Sequence, residues 1–278
     1  MSGKLYVVGT PIGNLEDITY RAARILSEVD FICAEDTRVT VKLLNHLNIK
    51  KPLLSYHEHS VWHVSENIIS RLQGGESCAV VTDAGMPCIS DPGEDLVRRC
   101  RDLGIAVESV PGPTAAATAA AVCGIPAARF TFEGFLSVTK KQRYSHLEEV
   151  SHDKRTLIFY EAPHKLLSTL EDMLKYFGER RIAICRELTK LHEEVIRTTL
   201  SDAVEYYREN SPRGEFVLVV EGYTPDEETE TTLEDAVKIA EKLISDGAKP
   251  ADACKQAAKL SGFKKSEIYS QIVNSETE

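Results

Sequence analysis

The chain has 278 residues, 42% of them hydrophobic, and a formal net charge of −10, a size that points to about two ordinary globular domains. No run of about eighteen apolar residues offers a membrane span. The acidic balance argues against indiscriminate nucleic-acid binding, while leaving room for a local basic surface. Seven scattered cysteines without a Cys-x-x-Cys pair point to a reducing, cytoplasmic setting with neither a disulfide framework nor a zinc knuckle. The start, Met1-Ser2-Gly3-Lys4, leads straight into a strand, unlike a signal peptide.

Lys4 to Gly9 reads as a strand running into the loop Thr10-Pro11-Ile12-Gly13-Asn14, followed by a helix from Tyr20 to Val29. Phe31 to Ala34 is the next strand, and it ends in four polar residues, Glu35-Asp36-Thr37-Arg38. A helical pattern, Val41-Leu44-Leu47, follows. This alternation predicts a mostly parallel sheet. His57, His59 and His63 lie near Glu58, but no single regular conformation aligns all three and no H-E-x-x-H pattern occurs. The expectation is no metal, with polar surface or substrate contact as the role of the segment.

Ser77 to Val81 is a run of small and β-branched residues, the mark of a strand buried on both faces. It opens into Thr82-Asp83-Ala84-Gly85-Met86-Pro87-Cys88-Ile89-Ser90-Asp91-Pro92-Gly93 before a helix starts at Glu94. Strand-to-helix loops of this kind lie at the carboxyl ends of strands, where ligands bind in α/β sheets. Two glycines, two prolines and two aspartates are more than a plain connection requires. A further strand, Ala106 to Val110, ends in Pro111-Gly112-Pro113-Thr114 and an alanine-rich helix beginning at Ala115, which Thr114 can cap.

Beyond Cys123 the character changes. Arg129 to Leu136 is a strand with an aromatic edge, and Lys140, Lys141 and Arg143 follow it, suited either to nucleic-acid contact or to a solvated helix start. Strands are then expected at Thr156 to Tyr160, Arg181 to Cys185, Val195 to Thr199 and Phe216 to Glu221, closely spaced enough for a mixed or antiparallel second sheet. Tyr223 to Glu230 is acidic and linker-like. The tail shows three short helical patterns in which Lys249, Lys255, Lys259, Lys264 and Lys265 face a single carboxylate, Asp252.

The ordered series V-G-T-P-I-G-N, A-E-D-T-R, S-Y-H-E-H, T-D-A-G-M-P-C-I-S-D-P-G, P-G-P-T-A-A, F-E-G-F-L, F-Y-E-A-P-H-K and R-E-L-T-K-L-H-E-E resembles the ribosomal RNA small subunit methyltransferase I family of the tetrapyrrole methylase superfamily. The resemblance implies an α/β fold of tetrapyrrole-methylase type: two α/β domains (1–122 and 123–223) with the cofactor cleft between them, an acidic linker (224–232), and a small helix-turn-helix-like tail (233–278). It implies a cytoplasmic homodimer that moves a methyl group from S-adenosylmethionine to the ribose 2′-hydroxyl of a cytidine in the decoding region of small-subunit ribosomal RNA, presented free or in the assembled subunit. Departures from the family pattern are Thr82 in place of serine, Met86 in place of threonine, and Ala162 in place of serine.

Carried over by motif, the cofactor contacts are Pro11, Asp83, Ala84, Gly85, Met86, Ile89, Thr114 and Ala115 from the first domain, and Glu161, Ala162, Gly214 and Glu215 from the second. Candidate bases for the hydroxyl proton are Asp36, Lys190 if its pKa is lowered, Glu187 and His57. Arg38 and Arg186 are candidate RNA contacts, with Lys140, Lys141, Arg143, Lys255, Lys259, Lys264 and Lys265. The alternatives are a small-molecule methylase acting on a tetrapyrrole, and a non-catalytic RNA or assembly factor on the same fold.

Overall fold

The computed structural model describes residues 3–56, 61–225, 233–245 and 248–275. His57 and most of the expected linker lie outside the described residues. The chain forms two compact units, Met1–Tyr223 and Thr224–Glu278.

The first sheet contains β1 (Lys4–Val8), β2 (Phe31–Ala34), β3 (Leu53–Ser55), β4 (Cys78–Val81) and β5 (Ala106–Val110), in the order β3-β2-β4-β1-β5 and parallel throughout. Helices provide the crossovers that parallel pairing requires: α1 (Tyr20–Glu28), α2 (Thr37–His46), α3 (Val61–Gln73) and α4 (Glu94–Asp102). Alternation along the strands sends Leu5, Phe31, Cys33 and Val80 into one core with Ile68, Leu72 and Leu96, and sends Val8, Ile32 and Val81 into another with Ala22, Ile25 and Leu26. The helix starts are fixed locally. Thr19 accepts from the Ala22 amide at 3.0 Å to cap α1, and Asp36 accepts from the Arg38 amide at 2.8 Å to cap α2.

The second sheet contains β6 (Phe130–Phe135), β7 (Thr156–Glu161), β8 (Arg181–Arg186), β9 (Glu194–Thr199) and β10 (Phe216–Val220), in the order β6-β7-β10-β8-β9. It is mixed: β6 runs parallel to β7 and the other pairs are antiparallel. One face is covered by α6 (Lys140–Val150), α7 (Leu166–Phe177) and α8 (Leu200–Glu209) around Leu147, Leu170, Val204 and Leu218. On the other face, α5 (Ala115–Val122) lays Ala119 against Ile158, Ala183 and Val219. Only small side chains on α5 allow so close an approach. Since α5 follows directly from β5, this contact brings the strand-end loops of the first sheet over the second.

The second unit packs α9 (Leu233–Ser245), α10 (Pro250–Ser261) and α11 (Lys265–Ser275) around Ala236, Ala240, Ala257, Ile268 and Ile272. Among the described residues, no helix is long and apolar enough to cross a membrane.

Candidate functional site

Three loops at the carboxyl ends of β1, β4 and β5 converge. Thr10 and Gly85 exchange backbone hydrogen bonds at 2.9 and 3.2 Å, and the Thr10 hydroxyl donates to the Thr82 carbonyl at 3.1 Å. At the meeting point a Cβ on Gly9 would lie 2.7 Å from Gly112 Cα and N and from Met86 Sδ, so no side chain fits there. The β4 loop is bent sharply, with Cys88 at φ 69° and Ser90 at φ 61°. Across from it, the loop after β8 holds Glu187 at φ 50° and Thr189 at φ 66°. Left-handed conformations of this kind in non-glycine residues cost on the order of 1–3 kcal/mol each and persist where the surrounding structure imposes them, commonly at functional sites.

Between these walls lies a cavity of about 590 Å³, in the size range of small-molecule sites. It is lined by Asp83, Ala84, Gly85, Met86, Ile89, Thr114, Ala115, Glu161, Ala162 and Glu215 of the expected cofactor set, and by Glu187 and Lys190. Two expected contacts lie outside the wall. Pro11 is buried and does not line the cavity, whereas its neighbour Ile12 does. Gly214, at φ 87°, instead leaves room for Glu187, whose Cγ would lie 2.5 Å from an added Cβ. Met86 packs its thioether against the first-sheet core and beside Gly9, a packing role that needs no hydroxyl. The Glu161 carboxylate is taken up by the Ala162 amide at 2.8 Å and the Thr169 hydroxyl at 2.5 Å.

The electrostatics correct two expectations about bases. Partial burial pulls the Lys190 ammonium down, but hydrogen bonds to Glu215 at 2.8 Å and Glu187 at 2.9 Å outweigh it and hold the pKa above the ordinary lysine value. Asp36 lies outside the cavity wall with its carboxylate in the Arg38 fork, 2.6 Å from Nη2, and hydrogen bonding to Arg38 brings its pKa down to about 2. Both are therefore poor proton acceptors. Burial works against ionisation at Glu187 too, but bonds from Lys190 and the Glu215 amide leave its pKa below the usual glutamate value. On the opposite wall, burial raises Asp83 and pushes Asp91 up to about 6, with the nearby Glu35 charge adding to both. Lining carboxylates are Glu35, Asp83, Asp91, Glu161, Glu187 and Glu215; Lys190 alone supplies a lining ammonium among the described residues.

Several wall residues were not singled out from the sequence. Tyr160 accepts from the Ala116 amide at 3.1 Å, joining β7 to the start of α5, and its ring meets Phe132 and Phe135 edge-on at 4.8 and 5.5 Å between centroids. Period-two alternation around the buried Glu161 was the available signal, since it puts Tyr160 and Ala162 on one face. Asp91 was visible as the second aspartate of the β4 loop, and Glu35 as the neighbour of Asp36.

The candidate RNA residues do not form one set. Lys140 and Lys141 are exposed at the start of α6. Arg143 is a correction: only 8% exposed, it pairs with Asp172 at 2.7 Å and donates to the Ser137 and Val138 carbonyls at 3.2 and 3.4 Å. Its guanidinium is committed to the fold. Arg186 is half-buried, donating to the Arg213 carbonyl at 2.7 Å and pairing with Glu194 at 3.3 Å, whereas the Arg38 side chain is 88% exposed. Lys255, Lys259, Lys264 and Lys265 are exposed on the second unit.

A family model described as tetrapyrrole (corrin/porphyrin) methylases matches residues 4–204. The chain is 49% identical over 270 residues to the ribosomal RNA small subunit methyltransferase I of Halalkalibacterium halodurans, covering 96% of this chain and 93% of that one. The Synechocystis protein of the same name is 43% identical over 268 residues, covering 96% of each. The Thermotoga maritima protein of that name is 49% identical over 220 residues, 79% of this chain and 99% of the relative. Among solved structures, a cobalt-precorrin-4 methyltransferase of cobalamin biosynthesis superposes with a TM-score of 0.61 at 18% identity, covering 78% of this chain and 94% of that one, a likeness of fold. The chain belongs to the tetrapyrrole methylases and, within them, to the ribosomal RNA small subunit methyltransferase I family, and it is a methyltransferase.

Proposed function

We propose that the chain transfers a methyl group from S-adenosylmethionine to the ribose 2′-hydroxyl of a cytidine in the decoding region of small-subunit ribosomal RNA, acting in the cytoplasm as a homodimer. The observation that carries the reading is near-full-length likeness, at 43–49% identity, to proteins named for methylating this RNA. The cavity supports the donor. Its six carboxylates against one ammonium favour a cationic ligand, as a sulfonium is, and disfavour a tetrapyrrole precursor bearing several carboxylates of its own.

Asp83 to Met86, Ile89, Thr114 and Ala115 would hold the donor from the first sheet, and Ala162 and Glu215 from the second. When bound, the donor supplies an activated methyl group on a positively charged sulfur. The chain's own task is then alignment and exclusion of water, which the apolar wall of Ile12, Leu188, Phe132 and Tyr160 serves. Lys140, Lys141 and the tail lysines offer local positive charge to phosphates within an acidic protein. The test is to map ribose methylation by mass in small-subunit RNA from cells with and without the protein. Loss of a single 2′-O-methylcytidine is expected; identical maps would overturn the substrate.

A further inference from the structure

Strict alternation along β6 would split its phenylalanines between the two faces of the sheet, since Phe132 follows Phe130 by two residues and Phe135 follows Phe132 by three. The register shows otherwise. Phe132 pairs with Ile158, Gly134 with Phe159 and Phe135 with Tyr160, so Glu133 is an extra residue without a partner on β7. This β-bulge, uncommon between parallel strands, shifts the phase by one and sends Phe135 to the face of Ile158 and Tyr160. Gly134 takes a left-handed conformation there, φ 65°, which glycine adopts without strain. Glu133 turns to the other face and meets His146 of α6 at 2.9 Å.

Phe130, Phe132 and Phe135 accordingly all line the cavity. They differ in depth: Phe132 is half-buried, whereas Phe130 is 41% exposed and Phe135 55%. Tyr160 lies at 65° to the Phe135 ring and braces it without stacking on it. A Cβ on Gly134 would lie 2.9 Å from Ser90 Oγ, so the β4 loop closes directly on the bulge. An aromatic ring that the backbone is bent to aim at a cavity, and that stays more than half exposed there, is a platform for a planar ligand.

Position and charge identify that ligand. A donor shielded from water lies within the cavity, so the methyl acceptor approaches from the mouth, where the exposed Phe130 and Phe135 stand. Lys140 and Lys141 follow Phe135 by five and six residues and are exposed at the start of α6, where their ammonium groups can meet phosphates flanking a nucleotide at the mouth. Reaching a methyl group inside a cavity draws the nucleotide away from its neighbours in the strand, and a base unstacked in this way is commonly held on an aromatic side chain.

We propose that Phe135, with Phe130 on the same strand face, is the stacking site for the base of the nucleotide whose ribose is methylated. This rests on the 2′-O-methylation reading. Phe135 is then a positioning residue: it holds the base so that the 2′-hydroxyl stands in line with the donor methyl group.

The test is single-turnover methylation of unmodified small ribosomal subunits by the full-length protein, at saturating S-adenosylmethionine and over a range of subunit concentrations. Phe135→Ala should lower the ratio of maximal rate to half-saturating subunit concentration about 5- to 150-fold, the span expected for one lost base stack. Donor affinity by calorimetry should stay within about threefold of wild type, and elution on size exclusion should not change. Phe135→Leu, which keeps apolar bulk but has no π-face, should lose nearly as much, whereas Phe135→Tyr should stay within about threefold of wild type. Retention of more than half the wild-type ratio by Phe135→Ala, or equal activity of the Leu and Tyr variants, would overturn the stacking site while leaving ribose methylation standing. A matching loss of donor affinity would overturn it too, by placing the donor's adenine on the ring, as would a changed oligomeric state, by making the ring a subunit contact. Wild-type protein that methylates no ribose would overturn the 2′-O-methylation reading, and the stacking site with it.

Discussion

Arg143 separates a structural from an RNA-binding role for the basic cluster at the start of α6. Replacing it with alanine leaves Asp172, whose side chain is 13% exposed, without its cation and frees the Ser137 and Val138 carbonyls. Breaking one side of a buried pair costs about 3–5 kcal/mol. For a unit of this size that is roughly 6–20 °C in Tm, at about 2–4 °C per kcal/mol. Lys140→Ala and Lys141→Ala, at exposed positions, should change stability by less than about 0.5 kcal/mol while reducing RNA affinity and its salt dependence. Differential scanning fluorimetry and RNA binding across a salt series, run on the same three variants, give both readings. A wild-type Tm for Arg143→Ala accompanied by loss of RNA affinity would refute the reasoning.

Other expectations follow from the same contacts. Burial raises Asp91 to about 6 in the folded protein, so the folded state binds more protons than the unfolded one between the ordinary aspartate value and about 6, and stability falls as pH rises through that window. Asp91→Asn should flatten this fall and be on the order of 1 kcal/mol more stable than wild type at pH 8, measured by urea unfolding; a less stable variant would contradict the burial argument. Gly9→Ala, with its Cβ 2.7 Å from Gly112 backbone and Met86 Sδ, should cost about 1–3 kcal/mol and weaken donor binding by calorimetry, because it pushes apart the loops that form one wall. Removing residues 224–278 should leave donor affinity within about threefold, since every lining residue belongs to the first unit and the Thermotoga maritima relative aligns over 99% of its length to only 220 residues of this chain; loss of donor binding by a folded truncation would refute this.

Much of this fold is legible locally. Phe31 to Ala34 and Cys78 to Val81 are buried on both faces, so their small and β-branched residues mark strands directly. The helix α8 carries a local signal too, since Leu200, Ala203, Val204 and Tyr207 repeat at helical spacing and are buried. Arg143 sits four residues before the buried Leu147 on one helix face, a signal that the neighbouring lysines obscured. The loops of the site announced themselves by composition, because tight backbone needs glycine and proline. Tyr160, Phe135 and the hydrogen bond from Thr82 to Glu35 did not, because they meet their partners only when residues far apart in sequence are brought together. The charges show the same limit: Lys190 and Asp36 read as bases in isolation, and only their partners in space reveal that neither is free to act as one.

The most direct test of the account is reconstitution. Purified protein is incubated with small ribosomal subunits lacking the modification and with isotopically labelled S-adenosylmethionine, and the RNA is digested and analysed by mass spectrometry. The account predicts one labelled methyl group per subunit, on the 2′-oxygen of a cytidine in the decoding region. Label on a base, label elsewhere in the RNA, or no label with active wild-type protein and intact subunits would contradict it.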